Sequence, residues 1–274
     1  MTQPTLFLSH GSPLHARGGS RASDGWAALA GRLPRPRAVL AVSAHWETEL
    51  PMVGTSAQPE TIHDFGGFPP DLYQLRYAAP GAPAVAQRVV QLLEDAGFSA
   101  STNGCRGLDH GAWVPLRHMW PQADMPVLQL ALQPALGSAH HLRLGAALAP
   151  LADDDVLILG SGHMTHNLPE LMQLLRQGEV QFGAQTAPAP YVETFRRWVD
   201  QALRRADGTD LAHWEDRAPH AQRAHPSPEH FLPLLVARAA AGRDAAVERI
   251  DLGVEAQVLA MDAYLFTPRT EVRH

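Results

Sequence analysis

Four short apolar runs limit what this chain can fold into: "TLFLS" (5–9), "AVLAVSA" (38–44), "PVLQLAL" (126–132) and "VLILG" (156–160). Each is too short for a buried helix, and each is bounded by Gly, Pro or His. Runs that are apolar at consecutive positions read as strands covered on both faces. Between them the spacing turns helical. "APAVAQRVVQLLEDAG" (82–97) ends in Gly97 as a C-cap, and "SAHHLRLGAALAPL" (138–151) and "YVETFRRWVDQALRRA" (191–206) keep the same period. "PEHFLPLLVARAAAG" (228–242) opens on Pro and closes on Gly. This alternation predicts an α/β fold, a single domain over 1–274. Its central sheet is expected to be mostly parallel or mixed and flanked by helices. "AAVERIDLG" and "QVLAMDAYLF" predict two further strands that could pair as a hairpin.

Composition removes several function classes. A chain of 274 residues can bury a core that needs no staple. The net charge of −6 argues against a nucleic-acid partner. No apolar run approaches the ~20 residues of a membrane span, and the N-terminus lacks the features of a signal peptide. The lone Cys105 fits a reducing cytoplasm and excludes a thiolate-rich metal site. All 22 basic residues are Arg, so lysine Schiff bases, a P-loop lysine and a Ser-x-x-Lys nucleophile are impossible. The 15 histidines are left as the chemistry-bearing residues.

Position decides which histidines matter. His10 ends the first predicted strand, His45 the second, and His166 lies just beyond "VLILG". Parallel strands share one C-terminal edge, and ligands bind in the crevice outside it. A metal site at that edge follows. His230, in "HPSPEH", opens a predicted helix beside Glu229. Imidazoles with open positions left over suit Zn or non-haem Fe(II). "GSGHMTHNL" places His163 and His166 three residues apart, a spacing open to a metal pair, an acid–base pair, or one working residue and a neighbour. The segment 58–83 is long for a connection, and its five rings (His63, Phe65, Phe68, Tyr73, Tyr77) predict an ordered lid or wall. A nucleophile elbow is absent, because Ser161 has no Gly two residues before it. There is also no H-E-x-x-H and no G-x-G-x-x-G.

Seven segments in order, "FLSHGSP", "VSAHWE", "TIHDFGGFPPDLYQLRYAAPG", "GLDHGAWVPL", "MPVLQLAL", "GSGHMTHNL" and "HPSPEHFLPLL", carry a family resemblance. The chain resembles the DODA-type extradiol ring-opening dioxygenases of the LigB-like class III superfamily. The resemblance implies cleavage of catechols such as 3,4-dihydroxyphenylalanine beside the diol, with O₂, to a muconic semialdehyde. It implies His10, His45 and His230 as metal ligands, with Glu229 as a fallback. It makes His166 the acid–base residue or an extra ligand, places His110 in catalysis and the substrate pocket, and leaves His163 a neighbour. His63 and Phe65 would line the substrate pocket, and Arg76 could meet a substrate carboxylate. Fe(II) is expected for catalysis, because Zn(II) cannot relay electrons to O₂; Zn(II) also suits three imidazoles as a bound metal. His15, His118, His140, His141, His213, His220, His225 and His274 show no metal-type spacing. The partners implied are a small catechol and O₂, and the oligomeric state is left open. A Zn-dependent hydrolase and a metal-binding protein without turnover remain alternatives, since a scaffold alone does not decide function.

Overall fold

The four apolar runs lie side by side. In the computed structural model, which describes residues 2–181, 183–205 and 208–268, they become β1 (Thr5–Ser9), β2 (Ala38–Glu47), β5 (Val127–Leu132) and β6 (Val156–Gly162). Short strands β3 (Met52–Gly54) and β4 (Ser101–Asn103) extend the sheet on one side, and β7 (Ala246–Ile250) and β10 (Ala263–Thr267) on the other. A ribbon of β8 (Val254–Glu255) and β9 (Leu259–Ala260) stands apart. The sheet order is β4-β3-β5-β2-β6-β1-β10-β7. Its four middle strands are mutually parallel, while β3, β10 and β7 join antiparallel to their inner neighbours. The expected mixed α/β sheet is therefore observed, and the two C-terminal strands do pair antiparallel.

Helices cover both faces, which is why the inner strands carry apolar side chains on both sides. These are α1 (Arg21–Ala30), α2 (Pro83–Asp95), α3 (His110–Met119), α4 (Gly137–Leu148), α5 (Leu168–Gln177), α6 (Pro190–Arg204), α7 (Thr209–Ala212), α8 (Trp214–Arg217), α9 (Ala221–Ala224) and α10 (Leu232–Ala240). One core packs Phe7, Leu40, Val42 and Ile158 against α2, α4, α6 and α10. The other packs Leu6, Leu8, Val39, Ala41, Leu157 and Leu159 against α1 and α3. The alternation of side chains along each strand sorts these residues to the two sides.

Three boundaries differ from the sequence reading. β2 continues through His45 to Glu47, with a register shift against β5 after Val42. The C-terminal amphipathic segment is not helical from Pro228. The Pro228 carbonyl instead accepts from Phe231 and Leu232 in a turn, and α10 then starts at Leu232 with Pro233 in its first turn. His230 therefore sits on the turn ahead of the helix, not within it. The 191–206 segment reaches Arg204 as helix; Ala206, like His274, lies outside the described residues. The 58–83 segment is an ordered wall. Ile62 N donates to the Leu108 carbonyl and Leu108 N to the Glu60 carbonyl, each at 2.7 Å, and Tyr77 N donates to Thr61 Oγ1 at 2.9 Å.

Candidate metal centre

The alternation that builds the second core also builds the site. Leu6 and Leu8 predict the side taken by His10; Val39 and Ala41 that of Ser43 and His45; Leu157 and Leu159 that of Ser161. Three adjacent strands thus send polar side chains out of the same face, just past its apolar part. The shift in β2 occurs where His45 must be aimed, as irregular strand ends commonly do beside functional sites.

A missing N–H sets the protonation of His10. Within α3 the Gly111 carbonyl would accept from residue 115, but that residue is Pro115 and has no N–H. A buried carbonyl needs a donor, and the Ser161 hydroxyl supplies it. With its proton committed there, Ser161 Oγ can only accept from His10 Nδ1–H, 3.0 Å away. His10 is left with a bare Nε2 lone pair, and that atom faces His45 Nε2 at 3.0 Å. Gly111 also has to be glycine, because a Cβ there would stand 2.5 Å from Ser43 Oγ and 3.2 Å from His10 Nδ1. Ser161 is wholly buried, so its hydroxyl is an anchor for His10 and not a nucleophile facing a substrate.

Two further imidazoles arrive from outside the sheet. His110 is the first residue of α3, capped by Asp109, whose carboxylate is held by Ser43 (2.7 Å), Gln129 (2.7 Å) and Arg106 (2.6 Å). Asp64 accepts from both the main-chain N–H (2.9 Å) and Nδ1–H (3.0 Å) of His110 and lies 3.6 Å from His45 Nδ1. His230 gives its Nδ1–H to Glu229 at 2.9 Å, and its carbonyl accepts from His163 N at 2.8 Å. Glycines 160 and 162 admit this segment, since a Cβ on either would collide with the carbonyl of Pro233 or His230. The His166 ring stacks on His230 with centroids 3.4 Å apart. Ring centroids of His10 and His45 lie 5.4 and 5.0 Å from that of His230, and 5.3 and 4.0 Å from that of His110.

Burial, and then the neighbouring imidazoles, push His10 and His230 well below the ordinary histidine range. The same causes lower His45 to about 4 and depress His166 strongly. For Asp64, burial is the largest single influence and opposes the charge, but the hydrogen bonds from His110 together with the nearby His110 and His45 rings outweigh it and hold the carboxyl at about 2. Neutral imidazoles are the metal-binding form. His10, His110 and His230 each give the other ring N–H to an acceptor, the arrangement that fixes metal-ligating histidines. Donor atoms within 4.8 Å of one another form two groups, His10–His45–His110 and His166–Glu229–His230. The donor set fits a divalent cation.

The cluster lines a cleft of about 590 Å³, floored by His10, His45, His110, His163, His166 and His230. Phe65 and Phe68 form one wall, and Leu168, Leu171 and Met172 of α5 another. The structure thus brings together His10, His45, His110, His166, His230 and Phe65. His63 lies behind Phe65, with its ring 5.7 Å away and its Nε2 3.0 Å from the Leu75 carbonyl. Arg76 is spent on the Tyr73 and Leu75 carbonyls, beside a separate groove. His15 pairs with Glu255 at 3.2 Å, and His118 bonds the His15 carbonyl at 2.8 Å. His163, set aside as a neighbour in the sequence, lines the cleft, and its buried Nδ1 has no hydrogen-bond partner among the described residues. Sequence reasoning also passed over Asp64 and Ser161 as partners of the histidines. The signal for Ser161 was present in its alternation with Leu157 and Leu159. Among the described residues no helix is long and apolar enough to cross a membrane.

Known proteins resemble this chain over most of its length. The chain is 41% identical over 271 residues to a Beta vulgaris protein named 4,5-DOPA dioxygenase extradiol, covering 96% of each. It is 37% identical over 234 residues to a protein of the same name from Escherichia coli (strain K12), covering 85% of this chain and 83% of that one. A solved structure of an uncharacterized protein from Escherichia coli K12 superposes with a TM-score of 0.76 at 29% identity, covering 96% of this chain and 99% of the other. Residues 4–266 match the family described as the catalytic LigB subunit of aromatic ring-opening dioxygenase, and the chain belongs to that family.

Proposed function

We propose that this chain is a metal-dependent extradiol dioxygenase in which His10, His45 and His230 hold the metal. The observation that carries the reading is the pair of Nε2 atoms, from His10 and His45, meeting at 3.0 Å on the imidazole floor of a cleft with apolar walls. His230 is preferred to His110 as third ligand. Each ring is backed by a carboxylate, His230 by Glu229 and His110 by Asp64, but His110 opens a helix whose positive end disfavours a cation. Bound there, Fe(II) would bring a catechol and O₂ together and pass electrons between them; Zn(II) suits the ligands but not that transfer.

The remaining residues orient substrate and move protons. His166, on the cleft floor with its ring stacked on His230, takes a catechol proton. His110, fixed by Asp64, turns its Nε2 to the substrate oxygen. Phe65 packs against the aromatic ring, and His63 supports Phe65 from behind. Both atoms of O₂ enter the product as the ring C–C bond beside the diol breaks, so no external reductant is needed. The product is a yellow muconic semialdehyde. A cytoplasmic setting belongs to the same reading, supported by the exposed, unpaired Cys105.

Protein loaded anaerobically with Fe(II) is expected to consume O₂ and turn yellow with a catechol panel that includes 3,4-dihydroxyphenylalanine. No O₂ uptake across the panel would refute the reading. His45→Ala is expected to lose metal, and His166→Ala to keep metal and lose turnover. An empty site in His166→Ala would make His166 a ligand.

A further inference from the structure

The turn that carries His166 has no ladder of its own. Residues 163–167 leave β6 and reach α5 without entering a helix or strand, so the bonds that fix them come largely from distant segments. Met164 N donates to Ser9 Oγ at 3.0 Å. Thr165 Oγ1 donates to the Val258 carbonyl at 2.7 Å and accepts from Ala260 N at 2.9 Å. Three consecutive residues then clamp the turn from the far side. The Arg223 carbonyl accepts from Asn167 Nδ2 at 2.7 Å, the Ala224 carbonyl accepts from His166 N at 2.8 Å, and His225 Nε2–H donates to the Met164 carbonyl at 3.0 Å.

Two of those three bonds use main-chain carbonyls that any residue would offer; the third depends on a side chain. His225 is buried, with ring centroids of Phe195, Trp214 and Phe231 at 5.6, 5.5 and 5.2 Å. A phenyl ring would suit that aromatic cage without any polar cost. Burial keeps the imidazole neutral, lowered to about 4. A carbonyl can only accept, so the single ring proton sits on Nε2 and Nδ1 is a bare lone pair. That Nδ1 is buried with no hydrogen-bond partner among the described residues. An unmatched buried acceptor is a cost, and what the imidazole supplies in return is the bond to Met164. Met164 is itself wholly buried, so its carbonyl has no water to turn to.

We infer that His225 is a positioning residue for the extradiol reaction: by holding the Met164 carbonyl it fixes the turn that sets His166 against the ring of His230. The inference rests on the reading of His166 as the proton-transfer residue. His225 lies outside the cleft lining, so its influence passes through His166. A displacement of about 1 Å in a group that moves a proton can cost about 100-fold in rate.

The test is a matched pair, His225→Gln and His225→Met. The two side chains have the same length, and only Gln carries an N–H for the Met164 carbonyl. On the Fe(II)-loaded protein, kcat and KM are measured with an O₂ electrode for catechol and 3,4-dihydroxyphenylalanine, and iron affinity by chelator competition. On the metal-free protein, NMR follows hydrogen exchange of the His166 N–H. His225→Met is expected to keep KM and iron affinity within about threefold and to lose kcat about 30- to 100-fold. Its His166 N–H is expected to exchange at least about tenfold faster. His225→Gln is expected to return kcat to within about fivefold of the unaltered protein, with slow exchange restored. Equal kcat in the two variants would overturn the inference: both fast makes the bond dispensable, and both slow makes the ring's packing the cause. A fall in iron affinity matching the fall in kcat would also overturn it, by moving the effect to His230. No O₂ uptake by the unaltered protein would overturn the extradiol reading. Faster exchange in His225→Met alone would then still support the clamp on the His166 turn, and equal exchange in the two variants would overturn it. Should neither variant fold, exchange in the unaltered protein decides: protection of His166 N–H equal to that of β6 supports the clamp, and exchange at the rate of an open loop overturns it.

Discussion

Ser161→Ala tests the chain of dependence that runs from Pro115 to the metal ligand. The substitution removes one oxygen and adds no bulk. It leaves two buried groups without partners: the Gly111 carbonyl, which Pro115 cannot serve, and His10 Nδ1–H. At about 1–3 kcal/mol for each orphaned group, the metal-free protein is expected to lose roughly 2–6 kcal/mol of stability. Metal affinity is expected to fall roughly 10–100-fold, because His10 is no longer fixed with its lone pair on Nε2. Denaturant unfolding of the metal-free protein measures the first quantity, and chelator competition the second. Adding Pro115→Ala restores a main-chain N–H for the Gly111 carbonyl. The double variant is expected to regain part of the stability but not the metal affinity. Unchanged stability in Ser161→Ala would refute the role assigned to Gly111 and Pro115. Lost stability with metal affinity unchanged would refute the orientation of His10 by the hydroxyl.

Gly111→Ala pushes a methyl against Ser43 Oγ, His45 and His10 Nδ1; a loss of about 1–3 kcal/mol is expected, with reduced metal occupancy by elemental analysis, and full occupancy would show that α3 can retreat without cost. Acid should destabilise the metal-free protein through its buried histidines. His45, His141 and His225 are each lowered by burial to about 4, whereas unfolded histidines titrate near about 6.5. Between those values the unfolded chain binds more protons than the folded one, so stability is full above about pH 6.5 and falls as pH drops. Urea midpoints measured from pH 7.5 to 4.5 should fall with a slope of at least about two protons; a flat profile would contradict the burial of neutral imidazoles.

Much of this site was legible before any coordinates. Strands with apolar side chains on both faces announce a covered sheet, and a histidine at the end of such a strand has one crevice to enter. That reasoning located His10, His45 and His166. His230 and Phe65 were candidates by position, their roles and that of His110 came from the family resemblance, and the structure brings all of them to one cleft. It was weaker at the junctions. The sequence pattern around His230 suits a helix from Pro228 onward, yet the Pro228 carbonyl closes a turn first. His63 belongs to the right loop, but Phe65 stands between it and the cleft.

By itself the sequence determined the class of sheet, the face and edge of the strand-borne histidines, and the exclusion of lysine, thiolate-cluster and nucleotide-loop chemistry. These follow from residue types and a period of two, which are local properties. Only the tertiary structure decided which acceptor stands behind each imidazole, and so which nitrogen is free to bind. Asp64 and His110 are 46 residues apart, and Ser161 and His10 are 151 apart. Their pairing depends on absences that a sequence does not interpret: the Cβ that Gly111 and Gly162 lack, and the N–H that Pro115 lacks. An absent atom acquires meaning only when the partner that fills or needs its place is known.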